Sequence, residues 1–281
     1  MTTPYQQVPP QYQQQGVASY VSPIPVRRAN LADALASEWT KIRSVRSTMW
    51  TLGVMILLVL GVGLIIALVL SSTTDSGPVS EPALVLGVVG TMLGSICIIA
   101  LGVLTVSSEY GTGMIRTTLT ACPSRSRVLT AKAIVFFLLS FAITTVSTTV
   151  VGLLQTAIVN APNASADVWL RSTVGVGLFM ALLGLVSLAV GSMLRHSAGG
   201  ITVMIGLFLF PLVLAMFMFS ESLVDVQQAL FQYAIPSQLA ALYGAELSES
   251  GPAGWEPVWI MLGVAVLALG GAFLALEKRD V

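Results

Sequence analysis

WTLGVMILLVLGVGLIIALVL, residues 50–70, runs for 21 residues without one Asp, Glu, Lys, Arg or His. A helix rises about 1.5 Å per residue, so this stretch covers about 30 Å, the thickness of a bilayer's hydrocarbon core. Five further stretches pass the same test: 84–106, 133–159, 172–194, 199–219 and 257–276. A transmembrane barrel would show alternating segments of about ten residues instead. Composition points the same way. Apolar residues make up 55% of the 281 and charged residues 9%, against about 25% charged in a soluble domain. The expectation is an all-α membrane protein with six transmembrane helices.

The charges are few but sorted. Arg27, Arg28, Lys41, Arg43 and Arg46 precede the first span, and Arg116, Arg125, Arg127 and Lys132 lie between the second and third. Arg195 separates the fourth from the fifth, and Lys278 and Arg279 follow the sixth. Only Arg171 falls on the other side, beside Asp75, Glu81, Asp167, Glu221, Asp225, Glu246, Glu249 and Glu256. Cytoplasmic loops concentrate Lys and Arg, so both termini of this multi-pass membrane protein are expected in the cytoplasm. Trp50, Trp169, Trp255 and Trp259 sit at span edges, where amphipathic rings belong. A formal net charge of zero leaves no footprint for nucleic acid. Cys97 and Cys122 are the two cysteines, too few for a disulfide framework or a zinc cluster.

Three regions follow. Residues 1–28 are rich in Gln and Pro and read as a disordered cytoplasmic tail. Residues 29–49 read as an interfacial helix, capped by Asn30 with Asp33 answering three residues on. Leu31, Leu35, Trp39, Ile42, Val45 and Met49 form its apolar stripe, flanked by Lys41 and Arg43. Glu38 projects from the middle of that stripe. It pairs either with Lys41 at i+3 or with a basic group on the next loop or a partner, and the residues leave both open. Residues 50–279 hold the spans.

Between spans 2 and 3, Gly111 and Gly113 permit a reversal, and Met114–Ala121 can form two helical turns before Pro123 stops them. Arg125, Arg127 and Lys132 are expected at headgroup level. On the opposite side, Val224–Tyr233 and Pro236–Tyr243 read as short helices in an acidic loop, either a cap over an exit or a passive connection. Asn163-Ala164-Ser165 fits a glycosylation sequon, which a chain of this kind has little use for.

Catalytic chemistry finds no support. There is no phosphate-binding Gly-x-x-x-x-Gly-Lys loop, and His196 is the only histidine, so no metal site is expected. Ser192 lies four residues before His196 without a carboxylate to orient the ring. Ion-coupled carriers place ionisable groups within the bilayer, and these six stretches have none. Span 3 carries one polar stripe, Ser140, Thr144, Ser147, Thr148 and Gln155, suited to helix packing or to a cavity wall. Gly90-x-x-x-Gly94 allows close approach to span 2.

Two motifs carry a family resemblance. Glu38-Trp39-x-Lys41-x-Arg43 precedes span 1, and Arg46 follows it. Glu109-Tyr110-x-x-Gly113-x-Ile115-Arg116…Pro123-Ser124-Arg125…Lys132 follows span 2, with Met114 where the family has Thr. From about Leu31 to Arg279 the chain resembles the ABC type-2 permeases, membrane subunits of ATP-driven exporters, and has an actinobacterial look. The resemblance implies a connecting helix carrying Glu38, Trp39, Lys41, Arg43 and Arg46. It also implies a coupling helix from Glu109 to Leu119, docking on a separate ABC ATP-binding subunit. There Met114, Ile115 and Leu119 would enter the ATPase groove, with Glu109 and Arg116 at its rim. It implies no catalytic site and no cofactor in this chain, with ATP and Mg on the partner subunit. A second permease copy, identical or a paralogue, would complete the path for a hydrophobic or amphiphilic compound. A stand-alone channel or scaffold is the alternative, and an ATPase gene beside this one would discriminate the two.

Overall fold

The computed structural model describes residues 30–73, 82–159, 161–162, 164–245 and 250–278. The tail at 1–28, Asn163 of the sequon, Arg279 and the acids at 75, 81, 246 and 249 lie outside the described residues. All regular structure among the described residues is helical. Six helical runs are long and apolar enough to cross a membrane: Arg46–Ser72, Ala83–Gly111, Arg125–Ile158, Ala166–Leu194, Ser197–Met216 and Glu256–Lys278. They are spans 1 to 6.

Helix α1 (Leu31–Ser44) begins at the expected capping box: the Asp33 amide donates to Asn30 Oδ1 at 2.9 Å, and the Asn30 amide to Asp33 Oδ2 at 3.0 Å. It stops sooner than its apolar period suggests. Val45 is extended (φ −83°, ψ 108°), and span 1 starts afresh with α2 (Arg46–Leu57). Its facing also differs from the stripe read in the sequence. Glu38 and Ile42 are buried, whereas Leu31 and Trp39 are exposed. The protein-facing line of α1 is therefore partly polar, because a buried counter-charge is available to it.

Span 1 continues through a π turn (Leu58–Val62) into α3 (Gly63–Thr73). Span 2 is essentially α4 (Gly87–Gly111), and it meets span 1 at that turn. A Cβ on Gly90 would stand 2.9 Å from the Val59 carbonyl oxygen and 3.0 Å from that of Leu58, so only glycine fits. Gly94 lies against the Val59 side chain one turn on. The expected close-packing role of this glycine pair is realised here.

After the short helix α5 (Met114–Ala121) comes α6 (Arg125–Ile158), 34 residues long. At 1.5 Å per residue it spans about 50 Å, so its first turns extend well beyond the hydrocarbon. Span 4 consists of α7 (Ala166–Leu170), a second π turn (Arg171–Gly175) and α8 (Val176–Leu194). Helix α8 is the axis of the bundle. Phe179, Met180 and Leu183 are completely buried there, among Ile98, Ile99, Met204, Leu239 and Met261 of the surrounding helices. By contrast α9 (Ser197–Met216) and α12 (Glu256–Lys278), spans 5 and 6, expose Leu207, Phe210 and Leu267, as surfaces facing lipid do.

The acidic loop forms α10 (Val224–Tyr233) and α11 (Ile235–Leu242), as Pro236 leads one to expect, with the break at Ala234. Helix α10 buries none of its residues. Helix α11 buries seven in a row, Pro236 to Leu242. Thr91 donates to the Gly87 carbonyl at 2.8 Å, so the Tyr243 hydroxyl, 2.6 Å away, donates to Thr91 Oγ1. This half of the loop is built into the bundle. At the other end, Arg125 Nη1 donates to the Leu276 carbonyl at 3.1 Å, joining the start of span 3 to the end of span 6. That end also holds α1 and α5, and is called the basic face below.

Candidate functional site

Four charges from three helices meet at the basic face. Lys41 Nζ of α1 lies 2.7 Å from Glu38 Oε1 and 2.8 Å from Glu109 Oε1 at the end of span 2. Lys132 Nζ of α6 lies 2.7 Å from Glu38 Oε2 and 2.7 Å from Glu109 Oε1. Lys41 also donates to Thr118 Oγ1 of α5 at 3.3 Å. The result is a closed ring of alternating sign and zero net charge that ties α1, span 2, α5 and span 3 together. Glu38, Glu109 and Lys132 are each at most 4% exposed. Taking such charges out of water costs several kcal/mol per ion, and only a complete ring offsets it.

Sequence reading left two partners open for Glu38, and the structure supplies both: Lys41 at i+3 and Lys132 at the start of span 3. Lys132, expected at headgroup level and without a site role, is buried among these groups. The signal was present. A glutamate inside an apolar stripe needs a buried cation, although the stripe does not name which. Likewise, the apolar stretches of spans 2 and 3 are free of charge, but their helices carry Glu109 and Lys132 past the ends of those stretches.

Burial alone would lower the pKa of Lys41, but the hydrogen bonds and charges of Glu109 and Glu38 outweigh it and hold the ammonium above the ordinary 10.5. A raised folded-state pKa contributes stability that is fully present below the unfolded value and is withdrawn as pH rises through the folded one. The stability difference between the native chain and Lys41→Met should therefore be constant through neutral pH and, on the alkaline side, shrink above 10.5. Thermal unfolding across a pH series checks this. A difference that changes at neutral pH would assign the loss to another group.

The segment expected as one helix from Glu109 to Leu119 is two. Glu109 and Tyr110 finish span 2, and α5 starts only after Gly113 turns the chain at φ 72°, ψ 2°. A side chain would be strained in that left-handed conformation. Glu109 is consequently interior rather than at a rim. Ile115 is buried against its own chain and Leu119 half-buried, so both are committed within the protein. The exposed side of α5 presents Met114, Arg116, Thr117 and Thr120. On α1 and span 1, Trp39, Arg43 and Arg46 are exposed.

Tyr110 has a separate neighbour. The Arg195 guanidinium carbon stands 5.0 Å from the centre of its ring, within range of a cation–π contact. Ser192 and His196 do not form a catalytic pair. The Ser192 hydroxyl donates to the Ala189 carbonyl at 2.7 Å, and His196 Nδ1 accepts from the Gly199 amide at 2.9 Å, capping span 5. The polar stripe of span 3 is enclosed: Ser140, Thr144, Ser147, Thr148 and Gln155 are all buried. Thr148 donates to the Thr144 carbonyl at 2.9 Å, and Gln155 Nε2 donates to the Gly63 carbonyl at 3.1 Å, where span 1 leaves its π turn. No group of metal-ligating side chains occurs among the described residues.

Beside the ring, α1 and spans 1 and 2 line a recess of about 150 Å³. It is lined by Ile42, Val45, Leu101 and Leu104 together with hydroxyls of Thr48 and Ser108. On the other side of Lys41, a groove of about 320 Å³ runs between α1 and α5. Helix α5 thus has open space on the flank that faces α1.

No curated protein matches the sequence. The family model described as ABC-2 family transporter protein matches residues 35–281, which takes in most of α1, all six spans and every member of the ring. The chain belongs to the ABC-2 transporter family and is a multi-pass membrane protein of the permease type, a type that works with an ABC ATP-binding partner.

Proposed function

We propose that this chain is the permease subunit of an ATP-driven transporter that exports a hydrophobic or amphiphilic compound. A separate ATP-binding subunit docks on α5, and it alone holds ATP and Mg and performs the hydrolysis. The basic face then lies in the cytoplasm, in keeping with its Lys and Arg excess, and a second permease copy completes the path. Helix α1 serves as the connecting helix and α5 as the coupling helix. The family membership carries the general reading.

The buried ring carries the specific one. Helix α5 is exposed along one side and bonded through Thr118 to the ammonium that also holds Glu38 and Glu109. A push on α5 therefore reaches α1, span 2 and span 3 through charge-assisted bonds rather than through loose packing. A four-charge ring with three members buried is a poor way to gain stability alone, since apolar replacements of similar shape do as well. Their use is in fixing one geometry at the place where an external motor acts. The absence of ionisable groups from the apolar stretches supports an external energy source, and the uncharged walls support a substrate of low polarity.

The test is capture. Met114→Asp with Arg116→Glu alters only the exposed side of α5, so the fold should persist. Co-purification of the ABC ATP-binding subunit encoded nearest this chain should fall at least about tenfold, equivalent to 1.4 kcal/mol or more. Undiminished capture would remove α5 as the docking element.

A further inference from the structure

Arg195 is the only non-glycine residue with positive φ among the described residues (φ 54°, ψ 20°). It closes α8 with its amide donating to the Gly191 carbonyl at 3.0 Å, and it begins the two-residue connection to span 5. Helix ends in the left-handed conformation usually use glycine or asparagine, because a Cβ there is strained. A long charged side chain at this position needs a reason beyond turning the chain.

The side chain supplies one. Its guanidinium lies over the Tyr110 ring at 5.0 Å. Tyr110 lies in the last turn of span 2 beside Glu109, just before the Gly113 turn. It lines a mostly apolar seam with Ile115 and Leu119 of α5, Leu129 and Lys132 of span 3, Ser192 of span 4 and Leu276 of span 6. The room left in that seam is only about 20 Å³. The ion pairs and hydrogen bonds of the ionic ring join α1, span 2, α5 and span 3. The Tyr110–Arg195 contact reaches the turn joining spans 4 and 5.

Resting on the reading of α5 as the coupling helix, we infer that Arg195 and Tyr110 are positioning residues forming a second arm of the coupling element. They fix the span 4–span 5 turn to α5, so that the two move as one body. The αL backbone at Arg195 is the conformation that delivers the guanidinium to the ring. Glycine would relieve the strain and lose the arm.

The experiment measures a distance across the arm. Nitroxide labels go on Thr117→Cys, exposed on α5, and Ala198→Cys, exposed on the first turn of span 5, after Cys97 and Cys122 are replaced by alanine. Double electron–electron resonance is recorded in lipid nanodiscs, on the permease alone and on its complex with the ATP-binding subunit, without nucleotide and trapped with ATP and vanadate. With Tyr110 and Arg195 intact, one narrow distance is expected, the same in every state. Arg195→Gly and Tyr110→Leu should each broaden it, the double variant no more than either single one, while Tyr110→Phe, which keeps the ring face, stays narrow. A distribution in Arg195→Gly as narrow as the native one would overturn the inference, since packing alone would then hold the turn. A native distance that shifts with nucleotide would overturn it too. The width is read on the permease alone, so it stands even if no ATP-binding subunit binds. Failure of the complex to form would count against the coupling reading instead.

Discussion

Lys132→Met should destabilise the protein by about 3–5 kcal/mol, the cost of leaving a buried charge without its partner. Lys132 Nζ is bonded to Glu38 and Glu109 at 2.7 Å each, and all three are buried. Methionine fills much the same volume, so packing is kept while two carboxylates must share Lys41 alone. The matched control is Lys132→Met combined with Glu109→Gln. Removing one charge of each sign restores neutrality and leaves the Glu38–Lys41 pair intact, so the double variant should recover a substantial part of the loss. Thermal unfolding of the purified chain reads both. If Lys132→Met melts with the native protein, the ring contributes nothing that its geometry implies.

Gly102→Val should cost about as much by a different route. A Cβ on Gly102 would stand 2.5 Å from the Gly184 carbonyl oxygen and 2.8 Å from Ser187 Cβ, both fixed parts of span 4. No rotamer change clears a backbone oxygen, so spans 2 and 4 must separate along the core of the bundle. Overpacking of this kind costs about 1–3 kcal/mol, and valine's branches against backbone place it at the upper end. Gly206→Ala is the control, because its added Cβ meets nothing within 4 Å. That variant should melt no lower than the native chain, since alanine favours a helix interior by about 1 kcal/mol. Equal melting of the two variants would mean the span 2–span 4 seam is looser than described.

Features set by nearest neighbours in sequence were legible before the structure. Apolar runs gave the six spans, and the Asn30–Asp33 spacing gave the first cap. Gly113 and Pro123 bracketed α5 to the residue, and Pro236 marked the α10–α11 break. What escaped depends on distant contacts. Lys41 and Glu109 are 68 residues apart, and Lys132 and Glu38 are 94 apart. Periodicity on α1 put Glu38 on an apolar face but had no means of naming a partner on another helix. The break at Val45 escaped because a β-branched residue is tolerated in helices, and nothing local forbids continuation. Ile115 looked available on an amphipathic two-turn helix, since a hydrophobic stripe does not say whether its own chain or another covers it. Arg195 carried no turn signal at all. Its conformation follows from where Tyr110 stands, and only the fold shows that.

ATP hydrolysis by the reconstituted pair tests the central claim most directly. The permease and its ATP-binding subunit are placed together in nanodiscs, and hydrolysis is compared among the subunit alone, the native pair and the pair carrying Met114→Asp with Arg116→Glu. An external motor docked on α5 predicts that the native permease changes the subunit's rate severalfold and that the α5 variant returns it to the rate of the subunit alone. A rate that is the same with and without the native permease would contradict that account.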